Sequence, residues 1–394
     1  MKSRGAELAP VTDVLEQGWR EGVAPGLSVA ILFRGSLAHA SAHGEAQVEP
    51  VARPLTPGHL FDVASLTKVM ATATLAALLV AEREIALDDR IVRFLPGFAG
   101  GGRDAVTVRH LLAHASGLPA WRPYFEAAMR DPVAGLAFRP PAERTDLAEA
   151  FARGRAILRA AVLAEPLEAT PGARALYSDP GFMLLGWVLE KAGGGPLDEL
   201  CRDRVFAPLA LADTFFVDEH ADASHGGTPR RREGRVFAAT ERCEHRGEVN
   251  CGAVNDDNAW AMGGVAGHAG LFSTARDVAA LGQAWLDALR GRPSPLDPRV
   301  ALAFARRDGA PGSTRALGWD TPSAEGSSLG TRLGRGPLGA IGHLGFTGVS
   351  LWVDVDREVV AALLTNRCHP SRENERIKAF RPRFHDAAAA ALGL

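Results

Sequence analysis

The sequence predicts an α/β chain of the α+β kind, with one antiparallel sheet flanked by helices and a mostly helical lobe. Three observations point there. Apolar runs of strand length lie near both ends of the chain, helical runs fill the middle, and the composition is that of a packed globular protein. The 394 residues are 46% hydrophobic and 23% charged, ordinary values that exclude a disordered or collagen-like chain. A chain this long buries most of its unfolded surface without a disulfide or metal staple. One sheet assembled from both ends, with a helical insert between them, is the economical way to bury such strands.

The elements follow in order. Val11–Arg20 reads as a short amphipathic helix closed by Gly22 and Pro25. Leu27–Phe33 and Leu37–Ala42 read as a hairpin around the turn Arg34-Gly35-Ser36. Ser65–Arg83 is apolar nearly all round and reads as a buried helix. Thr107–Ala115 is a second helix, and 118–144 carries five prolines and reads mostly as loop. Thr145–Glu165 and Pro180–Ala192 are helical, the latter with Pro at its start. Asp218–Asn258 is polar, Gly-rich and aperiodic, which predicts a long surface excursion. Thr274–Arg290 is an amphipathic helix, and 292–339 is loop-rich. Val349–Val353 and Glu358–Thr365 return to β around a turn at 354–357, and Ser371–Leu392 is a last helix.

Charge and composition exclude several function classes. The net charge is −2, so no field of one sign favours nucleic acid or an anionic membrane. No uninterrupted apolar run reaches the roughly 18 residues of a membrane span; the longest candidate is Val69–Ala81. Met1–Glu7 has no apolar stretch behind it, which predicts a cytoplasmic protein, or a periplasmic one if the true start lies upstream. Lys occurs only at positions 2, 68, 191 and 378, so chemistry that needs Lys has four places to be.

Three segments carry candidate chemistry. Ser65-Leu66-Thr67-Lys68 is an S-x-x-K. On a helix, i and i+3 share a face, so Lys68 can reach the Ser65 hydroxyl. A serine is a poor nucleophile until a base takes its proton, and Lys68 can be that base if burial depresses its pKa towards neutrality. Ser65 also sits near a helix N-terminus, where backbone N–H groups favour negative charge. Tyr177-Ser178-Asp179 places a phenol that can shuttle protons beside a cationic Lys. His343-Leu344-Gly345-Phe346-Thr347-Gly348 leads into a strand. A backbone N–H at that edge, with the N–H of Ser65, forms an oxyanion hole.

These three segments, in this order, resemble the serine β-lactamase and penicillin-binding-protein superfamily, and most of all its class C-like branch of DD-peptidases and β-lactamase-like esterases. Further blocks share the resemblance: Phe61–Lys68, Leu87–Pro96, Val108–Leu118, Leu184–Gly186, Gly270–Thr274, Gly342–Val353 and Leu363–Arg367. The resemblance covers about residues 8–390 and implies a DD-peptidase/β-lactamase fold in one catalytic domain. The sheet lobe takes about 8–62 and 340–394, the helical lobe about 63–339, and the site lies between them. It implies Ser65 as the acylated nucleophile, Lys68 as its base partner and Tyr177 as the Tyr of a Y-x-N motif. His343 falls on the Lys of a K-T-G motif, and Phe346 on the second oxyanion donor. Gly345 lets substrate approach the strand edge.

Two positions depart from the family pattern. Asp179 stands where an Asn is usual, and His343 replaces a Lys with a weaker cation. Both favour an ester, or another substrate without a free carboxylate, over penicillin or a D-Ala terminus. The expected activity is therefore that of a β-lactamase-like esterase, a serine hydrolase acting through an acyl-enzyme. DD-carboxypeptidase and β-lactamase are the alternatives, as is an idle binding or scaffold protein with the same fold. The partner expected is a small ester, peptide or β-lactam; no metal or organic cofactor is implied, and oligomeric state stays open.

Other motifs are given structural readings. Cys243, His245 and Cys251 could form a zinc group but read as idle thiols beside a His. His110 and His114 have zinc-protease spacing, but Leu111 stands where the catalytic Glu belongs. Gly263–Gly270 reads as a loop walling the site, with His268 a candidate substrate contact. Gly334–Gly339 matches G-x-G-x-x-G by letter, but Pro337 argues against a dinucleotide turn. The chain has no G-x-S-x-G elbow.

Overall fold

The computed structural model describes residues 8–220, 234–308, 310 and 313–394. Met1–Glu7 and residues 221–233 of the expected surface excursion lie outside the described residues. The two chain ends share one antiparallel sheet. After helix α1 (Ala9–Arg20) come β1 (Gly26–Phe33), β2 (Ser36–Gln47) and β3 (Arg53–Pro54). The last strands pair with them, giving the order β3-β2-β1-β9-β8-β7, where β7 is Ala340–Leu344, β8 Ser350–Asp354 and β9 Val359–Thr365. The register joins Leu27 to Thr365 and Phe33 to Val359.

Alternation along these strands builds two cores. Val29, Ile31, Ala361 and Leu363 face α1 and the C-terminal helix α7 (Ile377–Ala391), meeting Val11, Leu15, Phe380 and Phe384. Ala30, Val360, Ala362 and Leu364 face the other way, into a larger core. Helix α6 (Ala275–Leu289) brings Val278, Leu281 and Trp285 to that side. The helical insert contributes α2 (Thr74–Ala81), α3 (Val108–Leu112), α4 (Leu147–Ala164) and α5 (Asp179–Gly193).

The expected elements are present, with instructive differences. The stretch from Ser65 is not one uniform α-helix. A 3₁₀ turn at Ala64–Leu66 leads into a π-helical segment, Lys68–Ala73, and only then into α2. The wide turn is held by hydroxyls, with Thr74 Oγ1 donating to Val69 O at 2.6 Å and Thr72 Oγ1 to Gly267 O at 2.6 Å. The whole run Ala64–Ala81 has the length and hydropathy of a membrane span, and 83% of it is buried inside the protein. Segment 118–144 holds a short helix, Phe125–Arg130, and 3₁₀ turns, so it is less irregular than its prolines suggest. Segment 292–339 includes the helix Pro298–Ala305, capped by Asp297.

The largest difference lies in the expected surface excursion. Its described part, 234–258, runs through the interior: Ala238, Ala239, Cys243, Arg246, Asn250 and Val254 are buried. Part of its polarity is satisfied internally. Arg246 donates to Val254 O at 2.6 Å and pairs with Asp257 at 2.8 Å. A small second sheet was not legible at all: β4 (Phe61–Asp62) and β5 (Phe215–Phe216) flank β6 (Leu271–Ser273). Strands of two or three residues are too short to show a period.

Candidate active site

Ser65 stands one residue beyond a left-handed residue. Ala64 has φ +45°, a costly conformation for a residue with a Cβ. Asp62 pins it: one carboxylate oxygen accepts the Ala64 N–H at 2.7 Å and the other the Asn255 N–H at 2.6 Å. Thr347 Oγ1 donates to the Asp62 carbonyl at 2.8 Å. Asp62 thus ties the Ser65 turn to segment 255–258 and to the β7–β8 turn. Burial, reinforced by the charge of Asp256, pushes its carboxyl up to about 6 despite the two N–H bonds.

Lys68 is fully buried, and its Nζ lies 3.0 Å from Ser65 Oγ, 3.0 Å from the His268 carbonyl and 2.7 Å from Asp179 Oδ1. The expectation that burial makes this lysine a neutral base is corrected here. Burial does push its pKa down, but attraction to Asp179 and Tyr177 outweighs it, and the net shift is upward. Lys68 is an ammonium at neutral pH.

Tyr177 is held by its neighbours. Its ring lies 4.4 Å from that of His114 and 5.9 Å from that of His343. Lys68 Nζ sits 5.0 Å and the Arg315 guanidinium 5.1 Å from the same ring. His114 Nδ1 accepts the Ser178 N–H at 3.0 Å, and the Ser178 hydroxyl caps α5 through Gly181. His343 is buried, with Nδ1 2.8 Å from Leu344 O. A carbonyl only accepts, so Nδ1 carries the proton. Burial, then the charges of Lys68 and Arg315, hold His343 well below the ordinary histidine range. Burial, then Arg315 and Lys68, do the same to His114. Position 343 therefore carries no cation at neutral pH.

The β7–β8 turn closes the site. Gly345 has no room for a Cβ, which would come 2.7 Å from Val63 O and strike Val349. Phe346 is 49% exposed. Neither the Ser65 nor the Phe346 N–H finds an acceptor among the described residues. His268 is buried against Asp256, with Nε2 to Oδ1 at 3.0 Å. Burial raises the Asp256 carboxyl, but the charge and hydrogen bond of His268 prevail and bring it to about 2. The loop Gly263–Gly270 does wall the site, since the His268 and Ala269 residues line it.

Two cavities meet at Ser65, Tyr177, Asp179 and Phe346. One, of about 350 Å³, runs past Trp121, Asp256 and Arg372. The other, of about 390 Å³, runs past His343, Arg315, Arg367 and Lys378. All eight expected site residues are thus brought together. The residues missed by sequence reasoning are Arg315, His114 and Asp62. Arg315 comes from an aperiodic loop, docked at the sheet edge where Asp320 bridges Gly342. His114 was set aside for its failed zinc motif.

The other candidate clusters are dispersed. Cys243 Sγ faces Asp257, Cys251 Sγ faces Phe237 O and His245 stacks on Phe125. His110 caps α3 with Thr107. Gly334 and Gly339 give their N–H groups to Asp354 and Asp356.

The sequence model of the Beta-lactamase family matches residues 11–381. The chain belongs to that family. A putative D-alanyl-D-alanine carboxypeptidase of Escherichia coli K12 is 30% identical over 333 residues, covering 80% of this chain and 70% of its own length. Among solved structures, EstCE1, a hydrolase with promiscuous acyltransferase activity, superposes with a TM-score of 0.68 at 23% identity, covering 97% and 98% of the two chains. A class C beta-lactamase gives 0.67 at 17% identity, covering 96% and 95%. These two share the fold. The Beta-lactamase family member described here is thus of the serine hydrolase kind that unites β-lactamases and penicillin-binding proteins.

Proposed function

We propose that this protein hydrolyses an ester or amide carbonyl through an acyl-enzyme on Ser65. The observation that carries the reading is the 3.0 Å bond from the fully buried Lys68 Nζ to Ser65 Oγ, beside the Asp179 carboxylate. Ser65 Oγ forms a bond to the carbonyl carbon, and the carbonyl π pair moves to oxygen. The N–H groups of Ser65 and Phe346 receive that oxygen. Lys68, as an ammonium, steadies the serine oxygen as its proton leaves but cannot itself accept that proton. Tyr177 relays it: its phenol oxygen receives the serine proton as its own O–H proton passes to the leaving group and the carbon–leaving-group bond breaks. Water then cleaves the acyl-enzyme by the same steps reversed.

A neutral His343 favours an ester as substrate. A second reading, a peptide ending in a free carboxylate, is favoured by Arg315, which lines the same cavity and shares its charge with Asp320 at 3.3 Å, and by the name of the Escherichia coli relative. The test is intact mass after a fluorophosphonate probe. One adduct on wild type and none on Ser65→Ala is expected. No adduct on folded wild type removes the hydrolase reading. Arg315→Gln then separates substrates: it should spare neutral esters and weaken D-Ala peptides about tenfold, the order of one charged hydrogen bond.

A further inference from the structure

Arg381 of α7 is a buried cation with no acidic partner. It is 6% exposed, and among the described residues no carboxylate pairs with it. Its Nη2 donates to Gly345 O at 3.0 Å and Val349 O at 2.9 Å, while its Nε is buried without an acceptor. The charge that acts on it is like-signed, that of Arg367. Burial, with that repulsion, lowers it to about 10, which still leaves it charged at neutral pH. On α7 the adjacent inward positions are Phe380 and Phe384, so an apolar side chain would suit this interior better. A buried charge without a counter-ion costs stability, and packing gives no reason for it.

Its target gives one. The carbonyl of Gly345 is one end of the Gly345–Phe346 peptide, and the other end is the Phe346 N–H. That N–H has no acceptor among the described residues, and Phe346 lines both cavities that meet at Ser65. A guanidinium on the carbonyl draws electron density along the peptide and leaves the N–H a stronger donor. The bond to Val349 O anchors the guanidinium at the same time, because that carbonyl also accepts, at 2.8 Å, the Gly345 N–H of the peptide just before it.

We propose that Arg381 is a positioning residue for the oxyanion, seated behind the Gly345–Phe346 peptide so that the Phe346 N–H is aimed and polarised towards the oxygen of the tetrahedral intermediate. This rests on the reading of Ser65 as the acylated nucleophile. Arg367 makes the contrast: its Nε donates to Phe346 O at 2.7 Å, which acts on the next peptide and hence on the Thr347 N–H.

The test compares wild type with Arg381→Gln and Arg381→Lys. In free ¹⁵N-phenylalanine-labelled protein, the Phe346 amide resonance, assigned with Phe346→Leu, should move upfield in Arg381→Gln and less in Arg381→Lys. With a p-nitrophenyl ester, kcat should fall about ten- to a hundredfold in Arg381→Gln, part of the loss seen when a whole oxyanion donor is removed. KM should stay within about twofold, and Arg381→Lys should recover part of kcat. In an acyl-enzyme made with a ¹³C-carbonyl ester, the infrared carbonyl band should rise in frequency. A folded Arg381→Gln with wild-type kcat, or with an unmoved Phe346 amide, overturns the proposal. If Arg381→Gln does not fold, Arg381→Lys carries the same readings, and wild-type values there overturn it. If wild type forms no acyl-enzyme, the hydrolase reading fails, and the amide shift in the free protein still decides the role of Arg381 at that peptide.

Discussion

Lys68 has three N–H groups and three partners: a hydroxyl, a carbonyl and a carboxylate. That arrangement suits an ammonium and leaves no lone pair for a proton. Its folded pKa is raised, so the stability it lends is fully present below the ordinary lysine value and is lost as pH rises through the folded value. At neutral pH the pair with Asp179 is intact. Lys68→Met strands the Asp179 carboxylate, which is 17% exposed, and should destabilise the fold by about 3 kcal/mol, as breaking a buried pair does. Ester turnover should fall about 10²- to 10³-fold, the order of losing one preorganised electrostatic group at the reacting centre, measured as kcat/KM between pH 6 and 9. Retained turnover in Lys68→Met would sink the assigned role. The Ser65–Lys68 pair was legible because i and i+3 share a helix face, whereas Tyr177 and the turn at 343–348 were legible through the resemblance of the three segments, in order, to a known family. The protonation state of Lys68 was not, since Asp179 lies 111 positions away and only the fold sets it at 2.7 Å.

The turn that carries Ser65 is an element built from three distant segments, and Asp62 joins them. Its carboxyl is raised to about 6 in the folded protein, chiefly by burial. For an acid raised on folding, the stabilising contribution is full below the unfolded value, roughly 3.9, and fades as pH rises through 6. Asp62→Asn removes this titration and, having one acceptor oxygen where the carboxylate has two, gives up one of the two N–H bonds. The expected result is a loss of about 1–3 kcal/mol at pH 7 and a smaller fall in urea midpoint between pH 4 and 6.5. An equal fall in both proteins would show that Asp62 does not titrate there. Long elements such as α4 and α6 were readable from their period. The 234–258 segment was not, because its buried polar groups bond one another and mimic the composition of a solvated loop. The same holds for Arg381, which in sequence stands among Arg376 and Arg383 and looks like part of a charged surface.

At the scale of the molecule, the chain ends are one structure. Phe380 is fully buried between α1 and the sheet, and its ring fills the space a side chain at Gly18 would need. Phe380→Ala should cost about 3–5 kcal/mol, read as a lower urea midpoint with no change in kcat at low urea. A midpoint within error of wild type would show that the terminal helices do not hold the sheet. The overall plan was visible in sequence because strands at both ends leave few ways to bury themselves. The closing contact has a temporal side. The Gly26 N–H is held by Asn366 Oδ1, 340 residues further on. At synthesis rates of about 5–20 residues per second, β1 and β2 leave the ribosome roughly 20–70 seconds before their partner β9 exists. During that interval the hairpin is an unpaired edge of apolar strands. Ser65 is made early in that interval and the peptide that faces it is not, so the nascent chain carries the serine alone until Phe346 has been translated.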